Sequence, residues 1–296
     1  MSDSRKRSRR DRYDGYYIDK LDPMHMFTPY LLPERCDNEA VMNEKLDMTA
    51  VNEYLAKKNA DSPEFKYTIF HVICAALAKT LALRPKLNYY IIARRYYERR
   101  GISLAFVVKK RLADDSSETL AIVRFDKDSD EAPINTVYES VKKIVYSVRR
   151  ENRDDGATNI MGVLTKLPRF ALSFIIKILN FLDYHGWLPK DFLDVDPYHC
   201  TAFLSNLGSI KMSASYHHLT NWGTNSLFAV IGEKHFEQMY DEKLELPLRE
   251  VVELGLTIDE RIADGVYFAR SVKLLKRLIA EPELLERPLN EPIENY

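Results

Sequence analysis

The spacing of apolar residues along the chain predicts a mixture of helices and strands. Helical periodicity predicts helices over 47–59, 67–84, 134–150 and 266–279. The second of these is apolar nearly all round, which is typical of a helix buried on several sides, and Pro85 ends it. Runs rich in β-branched and aromatic residues predict strands at 89–97, 102–108, 120–125, 201–204, 227–231 and 251–258.

The first two of these strands bracket a charged turn at 98–101 and therefore predict a hairpin. Helices and strands follow one another without a βαβ rhythm. The pattern therefore favours an α+β sandwich over a doubly wound parallel sheet.

A segment at 162–192 differs from the rest because it is strongly apolar. Within 169–183, polar residues form only one narrow stripe, made of Ser173, Lys177 and Asn180. A helix of this length spans about 22 Å, which is shorter than a bilayer-spanning helix. Three interpretations stay open: packing in the core, a subunit contact, or a position in a membrane interface beside Tyr184 and Trp187.

Residues 1–26 carry a dense basic run and predict a solvated, mobile tail ahead of a folded domain at 27–285, with a second tail at 286–296. The alternative is an arm for acidic lipid headgroups. RNA is less favoured, because no aromatic platform interrupts the run. The whole chain has a formal net charge of −1, so its overall field does not attract nucleic acid.

The three cysteines, Cys36, Cys74 and Cys200, are widely spaced and give neither a disulfide framework nor a zinc motif. The sequence therefore predicts no metal site and a reducing compartment. The charged N-terminus lacks the apolar core of a secretory signal, so we expect a cytoplasmic protein, with peripheral membrane contact as a variant.

Two polar stretches are candidates for chemistry. Ser205 and Asn206 end a predicted strand, and a charged stretch at 259–265 joins the last strand to the last helix, which Asp264 is placed to cap. Each alone would be an ordinary turn. A carboxylate and a hydroxyl that converge on a cleft are the elements from which an acyl-transfer site is assembled.

The stretch at 258–265 resembles the signature of the chloramphenicol acetyltransferase superfamily. That superfamily includes the catalytic domain of 2-oxoacid dehydrogenase acyltransferases, whose motif reads Asp-His-Arg-x-x-Asp-Gly after an apolar strand. The segments at 84–88, 205–208, 227–232 and 281–285 resemble further family motifs in the same order. The resemblance implies an α+β chloramphenicol acetyltransferase-like two-layer sandwich, with a mixed sheet and packed helices, and it makes 162–192 an insertion.

The resemblance also implies a CoA thioester as co-substrate and a homotrimer with its site between subunits. It assigns Ser205 as the hydroxyl donor to the oxyanion and Asp264 as a structural carboxylate that makes an ion pair. Because about 26 residues precede the resemblance in this sequence, we expect no lipoyl domain.

The chain departs from the family at the catalytic histidine, where Glu260 stands. A carboxylate is a weaker base than imidazole, and losing a general base typically costs 10²–10⁴-fold in rate. His217 and His218 are candidates for a relocated base, but the simpler interpretation, which the sequence favours, is that they are surface histidines or hydrogen-bonded histidines in the core. Two functions therefore stay open: a CoA-dependent acyltransferase with weak or altered activity, and an inactive homotrimeric scaffold or binding module.

His71 lies on the apolar helix and is predicted to be a packed, hydrogen-bonded histidine. His185, His199 and His235 have no partner that sequence spacing identifies.

Overall fold

The structure is a computed structural model and describes residues 8–109, 118–127, 129–150, 162–240 and 243–294. The strands in this part of the chain are β1 (Gly15–Tyr17), β2 (Glu39–Asp47), β3 (Tyr89–Ile92), β4 (Arg95–Arg99), β5 (Ile102–Lys109), β6 (Glu118–Phe125), β7 (Ala202–Asn206), β8 (Leu227–Gln238) and β9 (Leu248–Asp259). The α-helices are α1 (Pro23–Leu31), α2 (Thr49–Lys58), α3 (Ile69–Leu83), α4 (Pro133–Arg150), α5 (Arg169–His185), α6 (Lys190–Val195) and α7 (Gly265–Ala280).

The strands form two sheets. A six-stranded sheet has the order β2-β9-β8-β7-β5-β6, and a three-stranded antiparallel sheet has the order β1-β4-β3. In the larger sheet β7 runs parallel to both β5 and β8, while the other pairs are antiparallel. Because the sheet is mixed and helices pack against it, the predicted α+β class is confirmed.

Helix α3 is the central helix of the core. Every residue from His71 to Leu81 is buried, as its all-round apolar sequence predicts. The helix ends at Leu83, and Pro85 begins a short 3₁₀ turn. His71 is packed and hydrogen-bonded as expected: its Nδ1 lies 2.8 Å from Oγ1 of Thr68, and burial lowers its pKa to about 4.

The predicted hairpin over 89–108 is wrong. The turn lies inside its first predicted strand, at Ala93 and Arg94, and pairs β3 with β4. Both turn residues have positive φ, 51° and 59°, which a tight hairpin requires and which Gly or Asn would have signalled. The charged segment at 98–101 instead carries the chain from the small sheet into the large one, where β5 pairs with β6 and β7.

Ordered structure begins well before residue 27. Strand β1 pairs with β4, and α1 starts at Pro23. Arg12, which the sequence places in a solvated basic run, is buried. Residues 1–7, which hold the first half of that run, lie outside the described residues.

The segment after residue 285 also packs against the core. Leu289 is buried, and the buried ammonium of Lys79 donates to the carbonyl oxygens of Leu284 and Pro288 at 3.0 and 2.8 Å. These contacts satisfy a charge that would otherwise be costly to bury.

Candidate active site

Ser205 lies near the end of β7, on the face of the sheet opposite the helices. Side chains alternate along a strand, so Leu204 faces the main core while Phe203 and Ser205 face the other way. There Ser205 lines a cavity of about 450 Å³. Its walls include Tyr198, Phe203, Leu219, Thr220, Asn225 and Phe228.

Glycines let the chain that follows Ser205 fold back closely over the sheet. A Cβ atom on Gly208 would lie 2.5 Å from the carbonyl oxygen of Gly232, and one on Gly255 would lie 2.4 Å from that of Ser215. Only glycine permits such approaches without displacing the backbone. The folded-back segment brings His217 and His218 to the cavity that Ser205 lines.

Both histidines are held with one ring nitrogen free. Nδ1 of His217 lies 2.9 Å from the carbonyl oxygen of His218, and Nδ1 of His218 lies 2.8 Å from that of Leu219. A carbonyl only accepts, so each neutral ring carries its proton on Nδ1 and a lone pair on Nε2. The ring of His217 also stacks on Phe228, a cavity wall, at 4.1 Å between centroids. Among the described residues, neither Nε2 atom nor the Ser205 hydroxyl has a hydrogen-bond partner.

Glu260 does not line this cavity in the same chain. Ser205 on β7 pairs with Val230 on β8, and Val230 pairs with Gly255 on β9. Glu260 therefore lies two strands away from Ser205 and five residues beyond Gly255. Strand geometry then separates the Cα atoms of Ser205 and Glu260 by on the order of 20 Å. The Glu260 side chain is exposed, at the start of a 3₁₀ turn. The two residues can therefore meet only between copies of the chain.

The ion pair in this motif is made by Asp259, not by Asp264. Asp259 accepts from Nε and Nη2 of Arg261 at 2.8 and 2.7 Å, and both residues are buried. Asp264 instead caps α7, accepting from the backbone N–H of Tyr267 at 2.9 Å. That backbone hydrogen bond lowers the pKa of Asp264.

Sequence reasoning missed a second buried polar cluster, which is centred on His199. Its Nδ1 lies 2.9 Å from Oδ2 of Asp196, and its Nε2 lies 3.3 Å from Oδ2 of Asp183. Asp183 also accepts from Arg12 at 2.6 Å. The i,i+3 spacing of Asp196 and His199 was the only local signal, because the other members lie far apart in the sequence.

The charge on His199 predicts a pH-dependent stability. Burial lowers the pKa of His199, but hydrogen bonds to and charges on Asp183 and Asp196 outweigh burial and raise it to about 9. The stabilisation is therefore complete below the ordinary value near 6.5 and is lost as the pH rises through about 9. We expect the free energy of unfolding to fall by on the order of 3 kcal/mol between these pH values.

Urea unfolding at a series of pH values measures this effect. His199→Gln should remove most of the pH dependence between 6.5 and 9, whereas His235→Gln, at a half-exposed position on β8, should leave it in place. Equal slopes in the two variants would show that His199 is not protonated in the folded chain.

Among the residues that the structure describes, no group of three or more His, Cys, Asp or Glu side chains is placed to hold a metal ion.

No family model matches the sequence, and no curated protein matches it. The fold, in contrast, is similar to solved structures. A probable dihydrolipoamide acetyltransferase from Listeria monocytogenes 4b F2365 superposes with a TM-score of 0.58 at 16% identity, covering 89% of this chain and 95% of that one. The cubic core of a pyruvate dehydrogenase multienzyme complex gives a TM-score of 0.58 at 14% identity, with 88% of each chain covered.

A chloramphenicol acetyltransferase gives a TM-score of 0.51 at 13% identity and covers 90% of this chain and 98% of that one. These similarities agree with the motifs at 205–208 and 258–265, and they extend over nearly the whole chain. The chain therefore has the chloramphenicol acetyltransferase-like fold that it shares with the acyltransferase cores of 2-oxoacid dehydrogenase complexes.

Proposed function

We propose that this protein is a CoA-dependent acyltransferase whose base is an imidazole of His217 or His218. The observation that carries the proposal is the shared cavity, which Ser205, His217 and His218 line together; in the described part of the chain, the serine hydroxyl and both Nε2 atoms have no hydrogen-bond partner. Two of the structurally similar proteins are named as acetyltransferases, which supports acyl transfer as the reaction class.

The reaction needs no group beyond the acyl thioester and an acceptor with a thiol, hydroxyl or amine. An Nε2 atom takes the acceptor's proton as the acceptor attacks the thioester carbonyl, and the Ser205 hydroxyl donates to the resulting oxyanion. Collapse of the intermediate expels the CoA thiolate, which recovers the proton from the imidazolium. Apolar side chains, among them Phe203, Leu219 and Phe228, form part of the cavity walls.

We further propose that Glu260 reaches this cavity from a neighbouring copy in a homotrimer. Exposed apolar residues of α1, among them Phe27, Tyr30 and Leu31, mark a surface suited to such a contact. That surface adjoins Glu260, since Arg261 donates to the carbonyl oxygens of Leu32 and Pro33 just after α1. A carboxylate there would stabilise the imidazolium that forms during transfer.

The test is release of CoA from acetyl-, propionyl- and longer acyl-CoA with thiol, hydroxyl and amine acceptors. We expect turnover with at least one pair, and a rate about tenfold lower in Glu260→Gln, which removes the charge while keeping the shape.

The second candidate is a binding module without catalysis, favoured by the carboxylate at the position of the family's histidine. Absence of turnover in every pairing, together with absence of CoA binding by calorimetry, would overturn the acyltransferase proposal.

A further inference from the structure

Helix α5 lies on the surface of the protein, and most of its side chains are exposed to solvent. Asp183 is its only buried residue. The residues that face the body, including Leu172, Ile175 and Leu179, are half-buried. Phe170 is 79% exposed and Trp187, just beyond the helix, is 62% exposed. The interpretation that this segment packs inside the core is therefore wrong for the single chain.

Most of the exposed apolar residues lie on one side of the helix. At 100° per residue, one stripe about 120° wide holds five large side chains. They are Phe170, Phe174, Ile178, Phe181 and Tyr184, and all are exposed. We call these five residues, with Trp187, the outer face of α5. At its C-terminal end, the rings of Tyr184 and Trp187 both contact the ring of His185, and such amphipathic rings favour the boundary between lipid and water.

The surroundings of the outer face are basic. Residues 162–190 contain four cationic side chains, Lys166, Arg169, Lys177 and Lys190, and all four are exposed. The only acidic residue in this stretch is Asp183, which is buried and paired with Arg12. The outer face therefore presents apolar surface with three exposed cations on or near it, Lys166, Arg169 and Lys177, while Asp191 and Asp194 lie near Lys190.

The pair between Arg12 and Asp183 also places the described end of the basic N-terminal run, residues 8–12, at this helix. Arg12 donates both to the Asp183 carboxylate at 2.6 Å and to the Asp183 carbonyl oxygen. Next to it, the ammonium of Lys190 lies 5.5 Å from the ring centroid of Tyr13. Arg9 and Arg10 are exposed and precede this anchor directly, and Arg5, Lys6 and Arg7 precede them in the sequence.

We propose that the outer face of α5 and the adjoining basic residues dock on an anionic lipid bilayer. Aromatic and aliphatic side chains enter the headgroup boundary, while the surrounding Lys and Arg contact lipid phosphates and carboxylates. Lys177, inside the apolar stripe, reaches the headgroups along its aliphatic stem. No helix in the described chain is long and apolar enough to cross a membrane, so α5 lies along the surface.

Charge favours a bilayer over a second copy of the chain as the occupant. If two outer faces paired, each would bring its own Lys177, with Lys166 and Arg169 nearby, against the other. Like charges brought together on desolvation oppose association, whereas anionic headgroups neutralise them.

Co-sedimentation with phosphatidylcholine vesicles, with and without phosphatidylserine, tests the proposal on the full chain. We expect binding that needs phosphatidylserine and weakens as salt is added. Phe174→Asp with Ile178→Asp, and separately Arg9→Gln with Arg10→Gln, should each lower the partition coefficient by at least about tenfold. Phe236→Asp is the matched control, because Phe236 is an equally exposed aromatic residue on β8, outside the outer face. Circular dichroism confirms that each variant is folded.

Absence of binding to phosphatidylserine vesicles, or equal binding by all four proteins, would overturn the proposal. So would a lower assembly mass of the Phe174→Asp, Ile178→Asp variant in vesicle-free solution, because the outer face would then be a contact between copies. None of these outcomes depends on catalysis, so the acyltransferase proposal stands or fails separately.

Discussion

Asp259→Ala is expected to lower the free energy of unfolding by about 3–5 kcal/mol, as removal of one partner from a buried ion pair does. Asp259 is 0% exposed and accepts from the Arg261 guanidinium through both oxygens. A second buried guanidinium, that of Arg35, lies 3.8 Å from the same carboxylate. The substitution would leave both cations without a carboxylate.

Arg35 makes this loss especially costly. Burial lowers its pKa to about 10, and the charge on Asp259 acts in the opposite direction. Without that carboxylate, the folded state has to hold Arg35 charged in a buried position that also adjoins Arg261. The physical cause of the destabilisation is thus desolvation without compensation.

Urea unfolding followed by circular dichroism measures the effect. Glu260→Ala is the matched control: its side chain is a neighbouring carboxylate but exposed, so its substitution should change stability by no more than about 0.5 kcal/mol. If Asp259→Ala lowered the free energy of unfolding no more than Glu260→Ala does, the Asp259 ion pair would contribute little to stability. Backbone contacts alone would then hold the motif.

The sequence predicted the elements whose burial pattern is simple. Helix α3 is apolar all round, and α4 and α7 each have one apolar stripe, so periodicity located all three within about two residues. The hairpin failed because its turn consists of Ala93 and Arg94, which carry no turn signal. Their positive φ values are those of the two-residue turn that joins the paired strands β3 and β4.

For the candidate site, the sequence indicated single residues, but it could not predict which of them lie close together in the folded chain. Ser205 was recognised from a strand end, and the structure places it in one cavity with His217 and His218. Arg12, Asp183 and His199 were not grouped, because the pairing of Arg12 and Asp183 spans 171 residues of sequence. Such contacts follow from the packing of α5 and the N-terminal segment, which no local pattern encodes.

Adjacent residues of the motif at 258–265 lie in different environments in the structure. Asp259 and Arg261 hold the fold from inside, whereas Glu260 between them points to solvent and makes no fold contact with its side chain among the described residues. The side chain at position 260 can therefore change without loss of a fold contact among the described residues.

Ser205→Ala should lower the rate of acyl transfer by about 10²–10³-fold, because the oxyanion loses its hydroxyl donor. Replacing the histidine that acts as base, by His217→Gln or His218→Gln, should cost about 10²–10⁴-fold and remove the corresponding limb of the pH–rate profile. His235→Gln is the control, since His235 lies outside the cavity. Initial rates of CoA release measure all four variants.

Co-expression of pairs of variants tests where each residue acts. If Glu260 serves the cavity of a neighbouring copy, equal mixing of Ser205→Ala and Glu260→Gln chains leaves about a quarter of the interfaces with both original residues, and activity returns in proportion. Mixing Ser205→Ala with the variant of the active histidine should restore no activity beyond the residual rates of the two variants, because both residues act in one chain and every chain lacks one of them. Recovery in the second mixture and none in the first would reverse this assignment: the base would then belong to the neighbouring copy, and Glu260 would have no part in the cavity.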